Sequence, residues 1–355
     1  MPTSRYLTVG SLLALLVVLG TSSNTYAQSY DVIIRNGRVI DGTGNPWFMA
    51  DVALDGDRIA AIGDLGAATA RREIDATGLY VTPGFIDAHS HAGPGLTTAE
   101  LSHGEPLLMQ GLTTVVINPD GGGPVDLARQ RSELLRDGMG VNAAQLVPHG
   151  SIRRSILGAE DRAPTAGEME EMRSLVRRGM EEGAYGLSSG TFYVPGSFAD
   201  PDEIVELAEV VASFGGAYTS HIRDESDYTI GLVASVEEVI DVARRAGIPG
   251  VITHVKALGP RVWGFGAVIT RRIEAAREEG VEVYTDQYPY AASSTGLGAA
   301  LLPRWSQAGG NDSLMARFDR PGIMADIGAA MVESLDRRGG ADRIQFRRVR
   351  FDESI

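Results

Sequence analysis

Two histidines one residue apart, His89 and His91, are the first groups in this 355-residue chain whose type and spacing suggest chemistry. On a strand, residues i and i+2 share a face, so both imidazoles point the same way. Imidazole is a common metal ligand near neutral pH. His221 and His254 lie 33 residues apart further along. His103 falls in a helical stretch and reads as surface; His149 precedes Gly150 with no evident ion partner, which suggests a supporting role. For any one histidine alone, a satisfied structural imidazole is the simpler reading. The chain has no cysteine, which removes disulfides, Cys-ligated zinc, Fe–S clusters and thiol nucleophiles together. Lys256 is the only lysine; every other basic residue is arginine. It follows His254 by two residues and shares its strand face, and a buried ammonium demands a partner.

These groups need elements to hold them. Residues from about 30 to 80 hold short alternating runs (31–34, 38–40, 51–54 and 58–62) separated by Asn36-Gly37, Asp41-Gly42 and Asp55-Gly56. Read as hairpin turns, those dipeptides predict a small antiparallel β unit. From Val81 onward, β-rich runs alternate with helical patterns such as Thr165–Glu182, Asp202–Phe214, Val233–Ala246 and Ala267–Glu279. Alternation of this kind predicts a parallel sheet. Each run ends in a polar or ionisable residue: His89, Asp120, His149, Ser188, His221, His254 and Tyr288, spaced 29 to 39 residues apart. Chemistry at every strand end fits a (β/α)8 TIM-type barrel, seven of whose units are visible. An open doubly wound sheet would gather it at one switch point, and no Gly-rich dinucleotide fingerprint or P-loop follows any strand. With four of six histidines at strand ends of one barrel, His89, His91, His221 and His254 read together as a metal site.

With these runs in place, Pro83-Gly84-Phe85-Ile86-Asp87-Ala88-His89-Ser90-His91 resembles the first-strand motif of the amidohydrolase superfamily. The segments Gly111–Val116, Gly183–Gly190, Ser220-His221-Ile222-Arg223-Asp224-Glu225, His254-Val255-Lys256 and Asp286-Gln287-Tyr288-Pro289-Tyr290 are similar to its D-aminoacylase (N-acyl-D-amino-acid deacylase) branch. The resemblance runs through most of the chain. It implies a metal-bearing barrel with a β-sandwich built from both chain ends, and hydrolysis of the amide of N-acyl-D-amino acids. It further implies zinc, one tight ion with room for a weaker second, and a small N-acyl amino acid as partner. Lys256 and Tyr288 would hold the substrate's α-carboxylate.

The sequence departs from that pattern in two places. The fourth strand carries no lysine to bridge two metals. Where the branch can supply a cysteine after strand two, the aligned residue is Asp120, which offers a harder ligand than thiolate and weaker selection of zinc over manganese or iron. Asp120 also reads as a turn residue before Gly121-Gly122-Gly123. Arg223 has two readings: a group orienting a carboxylate such as Glu225 at the substrate site, or a surface ion pair. The superfamily's proton-transferring Asp lies at the end of strand eight, and no eighth strand end is visible. Residues 291–355 resemble the insertion preceding it, so the catalytic residue is unknown and the chain reads as C-terminally incomplete. An inactive metal-binding fragment, or another cyclic-amide or dipeptide hydrolase, are the alternatives.

Acids exceed bases 46 to 32, giving a net charge of −14, which argues against nucleic acid as a partner. At the N-terminus, Arg5, the apolar run Leu7–Gly20 and Thr25-Tyr26-Ala27 form an export signal. The predicted organisation is a signal peptide over 1–27, a β-sandwich portion over 28–80 and the barrel over 81–355. Cleavage would leave an exported protein, periplasmic or secreted, without a membrane segment.

Overall fold

The computed structural model describes residues 29–347. The predicted signal peptide over 1–27 lies outside them. The described residues fall into two compact units, divided between Pro83 and Gly84.

The first unit is one five-stranded sheet of β1 (Ser29–Val39), β2 (Phe48–Asp55), β3 (Arg58–Gly63), β4 (Thr69–Asp75) and β5 (Tyr80–Val81). It is mixed, not antiparallel throughout. Asp55-Gly56 turns the β2–β3 hairpin as predicted, but β4 and β5 both run parallel to β1. Asn36-Gly37 is no turn either: it lies inside β1, at a register shift where Asn36 adopts φ 61°. A dipeptide that favours a hairpin can equally be absorbed by a bulge, where the extra residue takes the left-handed conformation. Gly37 is needed for space, since a Cβ there would lie 2.5 Å from Val81 Cγ2. Tyr80 and Val81 pair with β1, so the sheet runs to Val81 and the unit boundary falls after Pro83, just past the change of sequence texture at 80.

The second unit alternates strands and helices. β6 (Phe85–Asp87), β7 (Leu112–Ile117), β8 (Asn142–Pro148), β9 (Gly186–Gly190), β10 (Ala217–His221), β11 (Gly250–Ile252) and β12 (Val283–Thr285) form one parallel sheet, in sequence order. Helices Leu127–Arg136, Ala166–Glu181, Pro201–Ala212, Leu232–Ala246 and Gly266–Glu278 connect them. Their apolar stripes and the strands share one core, including Leu127, Met172, Leu187, Val239 and Ile252. Thr165 caps the 166–181 helix reciprocally with Glu168, which fixes where that helix begins. Gly84 leads into β6, where a Cβ would meet Thr113 Oγ1 at 2.0 Å; only glycine allows the two backbones so close.

Although β6 and β12 are the two edges of the sheet, His89 Nδ1 after β6 lies 3.9 Å from Asp286 Oδ2 after β12. The sheet therefore curls until its edges approach, as in a TIM-type barrel. No helix among the described residues is long and apolar enough to cross a membrane.

Candidate metal centre

The strand ends converge on Asp120. Its Oδ1 lies 3.5 Å from His89 Nε2, 3.7 Å from His221 Nδ1 and 3.8 Å from His254 Nε2, and its Oδ2 lies 3.2 Å from His91 Nε2. His89, Asp120, His221 and His254 are largely or fully buried, whereas the His91 side chain is 70% exposed. The structure thus brings all five predicted ligand residues together, with His91 on the rim.

The placement of Asp120 has local causes. Asn118 and Asp120 take φ 63° and 57°, so the chain leaves β7 through a left-handed kink that asparagine and aspartate tolerate better than most residues. Asn118 and Gln130 exchange two side-chain hydrogen bonds of 2.8 Å, and Ser188 Oγ donates to Asn118 O and accepts from Gly121 N–H. Asp120 therefore does sit in a turn, and that turn aims its carboxylate inward at the imidazoles. His254 is also left-handed, at φ 36°. Strain in a β11 strand-end residue, held in place by its neighbours, is typical of functional positions.

Among the described residues, the buried atoms without a hydrogen-bond partner include both nitrogens of His89, both of His221, Asp120 Oδ1 and Asp286 Oδ2. Leaving so many acceptor-capable atoms unpaired in one place is costly unless a cation satisfies them. Two ligand sets lie within reach of one ion each: His89, Asp120 and His254, and His221, Glu225 and His254. This donor set of imidazoles and carboxylates suits a divalent transition metal. Burial raises the cost of a charged His221 and pushes its pKa down to about 4, so its ring is neutral and able to ligate at neutral pH. Burial alone would raise Asp120, but hydrogen bonds and charge from His89, His91 and His221 outweigh it and hold the carboxyl well below its ordinary range.

Glu225 was read from the sequence only as a carboxylate that Arg223 orients. In the structure it is fully buried beside His221, His254 and Lys256, 3.7 Å from His221 Nε2 and 3.2 Å from His254 Nδ1. Burial opposes its ionisation, but His221, His254 and Lys256 prevail and its pKa falls to about 2. Its spacing four residues after His221 was the available signal. Arg223 does not orient it. The guanidinium turns away to Glu238, with Nε 2.9 Å from Oε1, and donates to the Ser197 and Ala199 carbonyls. It ties the loop after β10 to the following helix, which corrects its assignment to the substrate site. Two residues beyond β10, its side chain no longer follows the strand alternation that placed it beside His221.

Lys256 Nζ donates to Glu225 and lies 2.9 Å from His254 Nδ1, with the ammonium 5.4 Å from the centre of the Tyr288 ring. An ammonium has three donors, so one remains for a ligand. The buried Tyr288 hydroxyl has no partner, and burial pushes its pKa up to about 12. Phe192 and Tyr193 also went unread in the sequence. Their rings lie 5.2 and 4.7 Å from that of His221 and wall the site after β9. His149, expected to end a strand, instead opens the His149–Leu157 helix just after β8: it is buried and lies 2.8 Å from Glu203, which also pairs with Arg153.

The model of the amidohydrolase family matches residues 72–239. An N-acyl-D-glutamate deacylase of Alcaligenes xylosoxydans xylosoxydans is 38% identical over 288 residues, which cover 76% of this chain and 58% of that protein. The N-acyl-D-aspartate deacylase of the same organism is 32% identical over 349 residues, covering 89% and 68%. A crystal structure of N-acyl-D-glutamate deacylase from Bordetella bronchiseptica, complexed with zinc and a phosphonate mimic of the tetrahedral intermediate, superposes with TM-score 0.70 at 34% identity, covering 86% of this chain and 70% of that one. The chain spans about three-fifths of the length of the glutamate deacylase it matches. With these relatives, a curled parallel barrel and a strand-end cluster of histidines and carboxylates, the chain belongs to the amidohydrolase family, in its D-aminoacylase branch.

Proposed function

We propose that this protein is a zinc-dependent hydrolase that cleaves N-acyl-D-amino acids to a D-amino acid and a carboxylate. The observation that carries the reading is the buried cluster of unpaired imidazole and carboxylate atoms with a cation, Lys256, at its edge. Asp120, His221 and His254 would hold the tight ion, with His89, His91 and Glu225 around it. Zinc supplies Lewis acidity toward the acyl oxygen and activation of water.

The chain's own residues do the rest. Lys256 and Tyr288 offer a charged donor and a protonated hydroxyl to the α-carboxylate, which fixes the substrate by its acid end. Phe192 and Tyr193 exclude water from the face of His221. Asp286 accepts the backbone N–H of His254 and lies 3.9 Å from His89 Nδ1, which ties the ends of β11 and β12 together beside the cluster.

The test is release of free D-amino acid from N-acetyl-D- and N-acetyl-L-amino acids by the natural full-length protein, with zinc content measured in parallel. Zinc-dependent turnover of the D series alone is expected. His221→Ala and His254→Ala should lose both zinc and turnover, while His103→Ala should keep both. Turnover that survives full zinc removal would overturn the reading. Export rests on the first 27 residues, and a mature protein beginning near Gln28 in a periplasmic or secreted fraction is the expected result.

A further inference from the structure

Beside the cluster lies a groove of about 600 Å³, and His91 and Asp120 are among the residues that line it. Its walls come from the segments after β6, β7, β8 and β9. His221, His254, Lys256 and Tyr288 take no part in it. The groove thus reaches the metal-binding residues through His91 and Asp120, on segments other than those that carry Lys256 and Tyr288. A substrate anchored by its acid at Lys256, with its amide at the cluster, would send its acyl group into this groove.

The lining is mostly carbon. Pro94, Pro119, Pro124 and Val194 line it together with the glycines after Asp120. Several of the polar side chains within it are already engaged. Gln130 and Asn118 pair with each other, Glu133 pairs with Arg129 at 3.0 Å, Thr97 Oγ1 donates to Pro94 O, and Arg154 donates to Val194 O. The proline and valine walls offer their carbon surface to an apolar tail. Proline-rich walls are already rigid, so little ordering is required on binding. The volume lies within the range of about 300–1,000 Å³ that holds drug-sized ligands. An acetyl methyl, about the size of one water at roughly 30 Å³, would leave most of it wet.

We propose that this groove is the acyl subsite and that it selects a large apolar acyl group, of octanoyl size, over acetyl. The direction of the substrate rests on the deacylase reading above; the size and apolarity of the groove do not.

The experiment uses the zinc-loaded full-length protein. It compares N-octanoyl and N-acetyl derivatives of the D-amino acid that the acetyl series selects, or of D-leucine if none is turned over. Each buried methylene is worth about fourfold, so with solvent sharing part of the groove the octanoyl compound should lead in kcat/KM by on the order of 100-fold. Gly122→Leu fills the groove: a Cβ there meets nothing closer than Pro119 O at 3.7 Å, and the residue is not left-handed. It should cut the octanoyl-to-acetyl ratio at least tenfold with zinc content unchanged. Calorimetric binding of both compounds is measured alongside. Turnover of the acetyl compound with no octanoyl advantage overturns the groove and leaves the deacylase reading standing. Without turnover of either compound, tighter octanoyl binding that Gly122→Leu weakens supports the groove and overturns the deacylase reading. Binding that ignores chain length, or a ratio that Gly122→Leu leaves unmoved, overturns the groove.

Discussion

Asp120 decides the character of the metal centre. It stands where the branch can place a thiolate, and it touches four imidazoles at once. Asp120→Asn should bind zinc markedly less well, because a neutral amide replaces the anion between those rings. Asp120→Cys should still bind and should shift preference toward zinc over manganese, since thiolate is the softer ligand. Competitive metal titration followed by elemental analysis reads both changes. At Lys256 the question is the substrate. Lys256→Met should cost on the order of 2–5 kcal/mol, about thirty- to several-thousand-fold in kcat/KM, for an N-acetyl-D-amino acid. Its carboxamide should lose far less. Lys256→Arg should rescue poorly, because a planar fork does not replace a point charge that also bonds Glu225. Zinc content is read alongside: Lys256 touches Glu225 and His254, so retained metal separates loss of substrate binding from loss of the ion. An undiminished preference of Lys256→Met for the acid would make the lysine structural.

At the scale of elements, the network of His149, Glu203 and Arg153 joins the end of β8, the helix that follows it and the 201–212 helix. Arg153 and His149 are fully buried. Burial opposes ionisation of Glu203, but His149 and Arg153 bring its pKa below the ordinary 4.5. A carboxyl depressed in the folded state stabilises above its unfolded pKa, and that contribution is lost as pH falls through the folded value. Glu203→Gln leaves Arg153 buried beside a neutral group and should cost about 3–5 kcal/mol near pH 7. The difference from the parent should shrink as pH drops below about 4.5. Urea unfolding at a series of pH values checks both. A difference that grows on acidification would contradict the sign.

At the scale of the whole molecule, the proposed ligands come from the ends of β6, β7, β10 and β11, so one ion would tie strands far apart in sequence. A ligand that binds only the folded state stabilises by about 2.7 kcal/mol when present at a hundredfold excess over its Kd. Chelation should therefore lower the unfolding midpoint, and zinc should restore it. In His221→Ala the shift should be nearly absent. Equal midpoints with and without chelator in the parent would mean that the cluster holds no ion.

Much of this molecule is legible in its sequence, for a definite reason. Strand alternation, helix periodicity and caps such as Thr165 are local, so the βα repeat and its helix bounds can be read within a residue or two. A barrel places every strand end on one rim, so a polar residue closing each run already implies a shared site. That argument reached His89, His91, His221 and His254; the family resemblance added Asp120 as a ligand and gave Lys256 and Tyr288 their role at the substrate's carboxylate. What it did not reach depended on side-chain direction past the strand ends. There the chain bends and alternation no longer holds, which is why Arg223 turned out to the 232–246 helix while Glu225 turned in. Strand partners behaved alike: Asn36-Gly37 became a bulge because β1 continues past it, and β4 and β5 joined β1 in parallel. The sequence by itself determined the repeat, the rim and the kind of chemistry on it. The tertiary structure decided which carboxylate faces the histidines, because that choice rests on contacts between segments distant in the chain.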